Sequence, residues 1–293
     1  MAEFEARKLA DVAPDHPEFA RLLERCAATA EKAAHRAGNQ LLESYRNVSA
    51  REKGPFDLVT DADLASQRII VKTILEHHPG HTILGEEENL KADPANPWKW
   101  IVDPLDGTVN FAHGLPPWCV SIGLEAYGEL VVGVIHVPLE RSTFRAIKGA
   151  GAFLNGQPIQ VSSIDTLERA VIGTGFPTHW EPHDPDRLMA LFRRFCTRTH
   201  SARRSGSSAW NLAMTAAGAF DICYATVMQP WDAAAGIVLV REAGGRVTNL
   251  EGDPHDMERQ AILATNGRLH FQAVEAIRQT DAALGRQTDP AAS

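Results

Sequence analysis

The hydrophobic period of the chain changes at Thr82, and that change restricts the possible folds more than any other feature. Before it, Phe19, Leu22, Leu23, Cys26, Ala30, Ala33, Ala34, Ala37, Leu41 and Leu42 recur at three- and four-residue steps and predict a long amphipathic helix. The pairs Ile70/Ile74 and Val71/Leu75 predict a second helix over Leu64 to His78, stopped by Pro79-Gly80. From Thr82 onward TILGEE, WKWIVD, CVSIGLEA and LVVGVIHV read as strands, the last an unbroken apolar run that calls for cover on both faces. Hairpins follow, turned by Gly149, Gly151, Asn155 and Gly156. Beyond residue 160 strands (AVIGTG, FDICYA, GRVTN, AILATN) alternate with helices over 186–196, 208–218, 232–243 and from about 268. No repeat or linker interrupts this order. The pattern predicts one α/β unit in two halves, 18–160 and 161–280, between an N-terminal extension 1–17 and a tail 281–293.

Composition narrows the function classes. With 29 basic against 37 acidic residues, net charge −8, neither a nucleic acid nor an anionic membrane is expected as a partner. No run approaches the length of a membrane span and the N-terminus lacks the form of a signal peptide, so a cytoplasmic protein is expected. Cys26, Cys119, Cys196 and Cys223 are far apart, without zinc spacing, and read as buried thiols in a reducing compartment. His77, His78 and His81 read as solvated or dipole-paired imidazoles at a helix end rather than metal ligands, and Trp98, Trp100 and Trp118 as packing residues.

Four segments carry chemistry. In Trp100-Ile-Val-Asp103-Pro104-Leu105-Asp106-Gly107-Thr108, a strand runs into a tight turn with two carboxylates three residues apart. Two acids and the Leu105 carbonyl suit a hard cation, and the N–H groups of Gly107 and Thr108 suit a phosphate oxygen; a plain turn with a capping Asp is the structural alternative. Gly85-Glu86-Glu87-Glu88 is a solvated charge run by its composition but sits at a strand end, where α/β folds present ligand groups. Asp63, in DLVTDAD, and Asp232, in the W-D segment, read singly as helix N-caps, as do the small residues of Arg203-Arg204-Ser205-Gly206-Ser207-Ser208.

Taken in order, GEE, then D-P-L-D-G-T-x-N-F, then W-D-x-x-A-G with E-A-G-G, over about residues 18–280, the chain resembles the inositol monophosphatase family of Mg²⁺-dependent, lithium-sensitive phosphatases. The resemblance implies alternating helix and sheet layers, an αβαβα sandwich, and a homodimer that hydrolyses a small polyol or sugar phosphate monoester by direct attack of water. It implies Glu86, Asp103 and the Leu105 carbonyl at one Mg²⁺ and Asp103, Asp106 and Asp232 at a second. Asp63, Glu86 and Thr108 would be catalytic, with the amides of Gly107 and Thr108 on the phosphate. Ala225 stands where inositol-cleaving relatives usually carry a Glu that binds a ring hydroxyl, and the loop containing Lys53 is one residue shorter than in relatives. Asp106, Gly107, Thr108, Ser207, Ser208 and the Ala225 position would contact substrate, and Thr226, Gln229, Ser207 and Ser208 are candidates to replace the missing Glu. Myo-inositol 1-phosphate is the first expectation for substrate. Histidinol phosphate or fructose bisphosphate stay open, as does a regulatory, partner-binding role on the same fold.

Overall fold

In a computed structural model, which describes Pro14, His16 and residues 18–46, 50–54, 57–87, 89–91, 96–177 and 184–286, two helices lead and cover one face of a large sheet. Helix α1 (Glu18–Ser44) buries the expected stripe, including Leu22, Cys26, Ala30, Ala33, Ala37 and Leu41. Its small side chains let it lie close on the strands: a Cβ at Gly38 would meet the His136 ring at 2.7 Å. A short hairpin, β1 (Ala50–Gly54) and β2 (Asp57–Thr60), leads into helix α2 (Asp61–His77). The side chains of residues 51–59, Lys53 among them, and the extension 1–13 lie outside the described residues.

The large sheet has eight strands in the order β10-β9-β8-β7-β6-β5-β3-β4. These are β3 (Thr82–Gly85), β4 (Asn89–Lys91), β5 (Trp98–Asp106), β6 (Cys119–Ala126), β7 (Glu129–Val137), β8 (Ser142–Ile147), β9 (Gly151–Leu154) and β10 (Gln157–Pro158). Only the β3–β5 pair is parallel. Strand β7 is buried from Val131 to Val137, as its unbroken apolar run predicts. Between β5 and β6 a short helix, α3 (Thr108–Ala112), follows the acidic turn.

The second half builds a five-stranded sheet, β12-β11-β13-β15-β14, from β11 (Val171–Thr174), β12 (Ser201–Arg204), β13 (Ile222–Ala225), β14 (Arg246–Thr248) and β15 (Ile262–Thr265). Helices α5 (Ser208–Ala216) and α6 (Pro230–Glu242) lie between the two sheets, and α4 (Pro185–Cys196) with α7 (His270–Ala283) covers the outer face. The expected five layers are therefore present. Helix α6 presses so closely on β6 and β7 that a Cβ at Gly133 would meet the Ala235 carbonyl at 2.3 Å, and one at Gly123 the Ala234 Cβ at 2.6 Å. Each fully buried Leu, Ile or Val of the three apolar clusters contributes about 1.5–3 kcal/mol.

Several expectations are corrected. Cys196 is exposed, whereas the other three thiols are buried, and all four are free. His78 and His81 are buried, not solvated: His81 stacks on Trp98 at 5.2 Å and accepts from Trp100 Nε1 at 3.1 Å. Trp98, Trp100 and Trp118 are packing residues with no exposure. The last helix continues past 280 to Ala283, and buried Asp281 pairs with Arg187 at 2.8 Å, so the segment expected as a tail starts inside a packed helix.

Candidate active site

Side chains alternate along a strand, so Asp103 and Asp106, three residues apart, would ordinarily face opposite ways. A bulge prevents this. Asp103 pairs with Ser121 and Asp106 with Cys119, so three steps on β5 match two on β6, and the extra residue returns Asp106 to the face of Asp103. Pro104, which has no N–H to donate, sits in the irregular stretch, where its carbonyl accepts from Ser66 Oγ of α2 at 2.8 Å. Leu105 N donates to Asp103 Oδ1 at 2.9 Å and closes the turn. Gly107 then adopts φ +96°, and a Cβ there would also approach the Pro117 carbonyl at 3.0 Å.

Asp232 arrives from the other half. It is the third residue of α6, and in a capping box its carboxylate accepts from Gln229 N at 3.4 Å; Gln229, not Asp232, is the N-cap. Ser121 Oγ donates to the Trp231 carbonyl at 3.2 Å and ties the start of α6 to β6. Oxygen atoms of Asp103, Asp106 and Asp232 consequently lie within 4.8 Å of one another. Asp106 also accepts from Ser207 Oγ at 2.5 Å, Ser208 N at 3.1 Å and Ala209 N at 2.7 Å, which are the first donors of α5. Ser207 is the N-cap of that helix, but Asp106 supplies the capping bonds.

Asp63 occupies a second, adjoining position. Thr60 is the N-cap of α2 and Asp63 its third residue, where the carboxylate accepts from Thr60 N at 2.8 Å and from the Thr60 hydroxyl. Its other oxygen accepts from Thr108 Oγ1 at 3.1 Å, and that hydroxyl also lies 3.0 Å from the Leu105 carbonyl. Thr60 was not among the sequence candidates, although a Thr three residues before an acid is the signature of a capping box.

The electrostatics of this arrangement are unfavourable without a cation. Burial, then the charges of Glu86, Asp106 and Asp232, push the Asp103 carboxyl well above the usual carboxylate range. Burial, then Asp106 and Glu86, do the same to Asp232. Burial also raises Asp106 and Asp63, against the lowering effect of the donors each accepts from. Hard carboxylate oxygens that repel one another fit a divalent cation of the Mg²⁺ type.

A cleft of about 400 Å³ opens over the cluster. Glu86, Asp103, Leu105, Asp106, Gly107, Thr108, Ser207, Ser208 and Asp232 all line it. Asp63 is fully buried and reaches the cleft through Thr108. Ala225 does not reach it: its methyl is buried in β13, and Val227 and Gln229 form that wall. Thr226 is likewise absent from the lining, whereas Gln229 is present. Phe176 and Arg204, which the sequence reading did not select, form another part of the wall.

Comparison with known proteins bears on the chain as a whole. A family model described as "Inositol monophosphatase family" matches residues 22–282. The inositol-1-monophosphatase of Synechocystis is 41% identical over 86% of this chain and 88% of its own. A Neisseria meningitidis protein named "Putative Nus factor SuhB" is 36% identical over 85% of this chain and 96% of its own. The solved structure of an inositol monophosphatase from Anabaena superposes with a TM-score of 0.80 at 37% identity, covering 88% of this chain and 96% of that one.

Proposed function

This chain belongs to the inositol monophosphatase family and is a phosphoric monoester hydrolase, and on that premise we propose that it hydrolyses a small polyol or sugar phosphate using Mg²⁺. Myo-inositol 1-phosphate is the first substrate to assay. The observation that carries the reading is the placement of buried Asp63, bonded to Thr108 at the cleft, beside three carboxylates gathered within 4.8 Å. Glu86, Asp103, the Leu105 carbonyl, Asp106 and Asp232 would hold Mg²⁺. When bound, the metal supplies neutralisation of the phosphate dianion and Lewis acidity toward water and the leaving oxygen.

The chain's own residues do the rest. Thr108 presents its hydroxyl oxygen to the cleft while Asp63 accepts its hydrogen, so the Thr108 oxygen is left to accept from an attacking water. Asp63, its pKa raised by burial, is the proton acceptor behind it. The amides of Gly107 and Thr108, at the start of α3, orient phosphate oxygens. Ser208 and Gln229 are available to ring hydroxyls, while the Ser207 hydroxyl is engaged by Asp106.

Phosphate release should require added Mg²⁺ and vanish in Asp103→Asn; a purified protein that releases no phosphate from inositol 1-phosphate or a broad ester panel would overturn the reading. The Neisseria name raises a transcription-associated role for that relative. Here the complete set of acids in one cleft supports the enzyme. We also propose a homodimer and a cytoplasmic location, testable by light scattering and fractionation; the four free thiols accord with a reducing compartment. Among the described residues, no helix is long and apolar enough to cross a membrane.

A further inference from the structure

Helix α2 buries Asp63, Ser66, Gln67, Ile70 and Ile74 at three- and four-residue steps, one stripe along its length. The two isoleucines sit in the first apolar cluster and hold the helix in place. The three polar members lie within about one helical turn, and each reaches a different segment of the site. Asp63 accepts from Thr108 at the start of α3, and Ser66 donates to the Pro104 carbonyl in the irregular stretch of β5. Gln67 accepts through Oε1 from Glu87 N at 3.1 Å, so the helix also reaches the Gly85-Glu86-Glu87 turn.

That last bond lies where the sheet stops. Strand β3 pairs with β5 as far as Gly85 opposite Val102, and Glu86 N donates to the Val102 carbonyl at 3.2 Å, which fixes the peptide before Glu86. The peptide after Glu86 carries the Glu87 N–H, and there a side chain of α2 takes over from the ladder. Two planar peptides flanking one residue set its φ and ψ, and with them the direction in which its side chain leaves the backbone. The backbone of Glu86 is thus held by β5 on one side and by Gln67 on the other. A neutral amide does this without adding a charge to the acids already gathered there.

We propose that Gln67 is a positioning residue that aims the Glu86 carboxylate into the cleft, so that the cation affinity of the site is set in part from α2. The proposal deepens the phosphatase reading and rests on it, since it takes Glu86, which lines the cleft, as a Mg²⁺ ligand. Groups that orient a metal ligand from behind change affinity by about 10- to 100-fold when removed.

The test is Mg²⁺ binding to the full chain by titration calorimetry, with no substrate present. Gln67→Met keeps the length of the side chain and removes the acceptor, and its Kd for Mg²⁺ should rise about 10- to 100-fold, with kcat at saturating Mg²⁺ little changed. Gln67→Glu, which keeps an accepting oxygen, should bind at least as tightly as the wild type; a loss equal to that of Gln67→Met would overturn the proposal. In a Glu86→Ala background Gln67→Met should cause no further loss, because Gln67 acts through Glu86. A loss of the same size there would mean a general loosening of the fold and would also overturn it. Should Gln67→Met not fold, Gln67→Asn, whose oxygen stops one methylene short, carries the same expectation. An unchanged Kd would overturn the positioning role while leaving the phosphatase reading intact, and no Mg²⁺ binding by the wild type would overturn both.

Discussion

Asp103 is a residue whose ionisation the fold opposes, being buried with three other acids acting on it. Asp103→Asn removes one charge from that group at almost constant shape. The metal-free variant should melt at a higher temperature than the metal-free wild type, lose the Mg²⁺-induced rise in melting temperature, and lose about 10³-fold or more in kcat. A variant that still gained stability from Mg²⁺ would mean that Asp103 is not a ligand. Thr108→Val isolates the proton path instead. It should lower kcat by about 10²- to 10⁴-fold, with the Mg²⁺ concentration for half-maximal activity little changed. At this scale the acids were legible because D-P-L-D-G and W-D place them at element ends. The direction of Ala225 was not legible, because sequence spacing does not say whether a strand-end residue points into a cleft or into the core. Arg204 was passed over because only the fold brings β12 beside the segment holding Phe176.

The decisive element is the bulge in β5, since it alone puts Asp103 and Asp106 on one side of the strand. The sequence showed the turn; the pairing count against β6 that produces the convergence exists only in the sheet. Helix and strand positions were largely readable from period, because apolar spacing reports which face is buried. Caps were less readable. Asp63 and Asp232 are third residues of their helices, and the end of α5 is capped by an acid about a hundred positions away in sequence. The contact of α6 with the large sheet depends on the absence of a side chain. Gly133→Ala should cost about 1–3 kcal/mol, read from the denaturant midpoint, because its Cβ would meet backbone rather than a yielding side chain.

For the molecule as a whole, the net charge of −8 is unevenly spread: residues 52–106 hold eleven acids and five bases. The buried site acids keep their protons more readily when folded than when unfolded. In the metal-free protein, stability should therefore fall as pH rises through their raised pKa values. The histidines act with the opposite sign. Burial lowers His78, His136 and His270 to about 4 and His81 to about 3, so their contribution is present above the unfolded value near 6.5 and is lost as pH falls toward 4. Denaturant midpoints measured across pH with chelator should show losses on both flanks, and Mg²⁺ should remove only the alkaline one. An alkaline loss that Mg²⁺ left in place would contradict this account of the site.

The bonds from Ser208 and Ala209 to Asp106 join the two halves of the chain at one of the clustered carboxylates of the site. Those two amides are thus a built-in gauge. Their solvent-exchange rates and nitrogen chemical shifts should follow what the Asp106 carboxylate is bound to, giving a backbone signal of site occupancy that can be read without substrate or turnover.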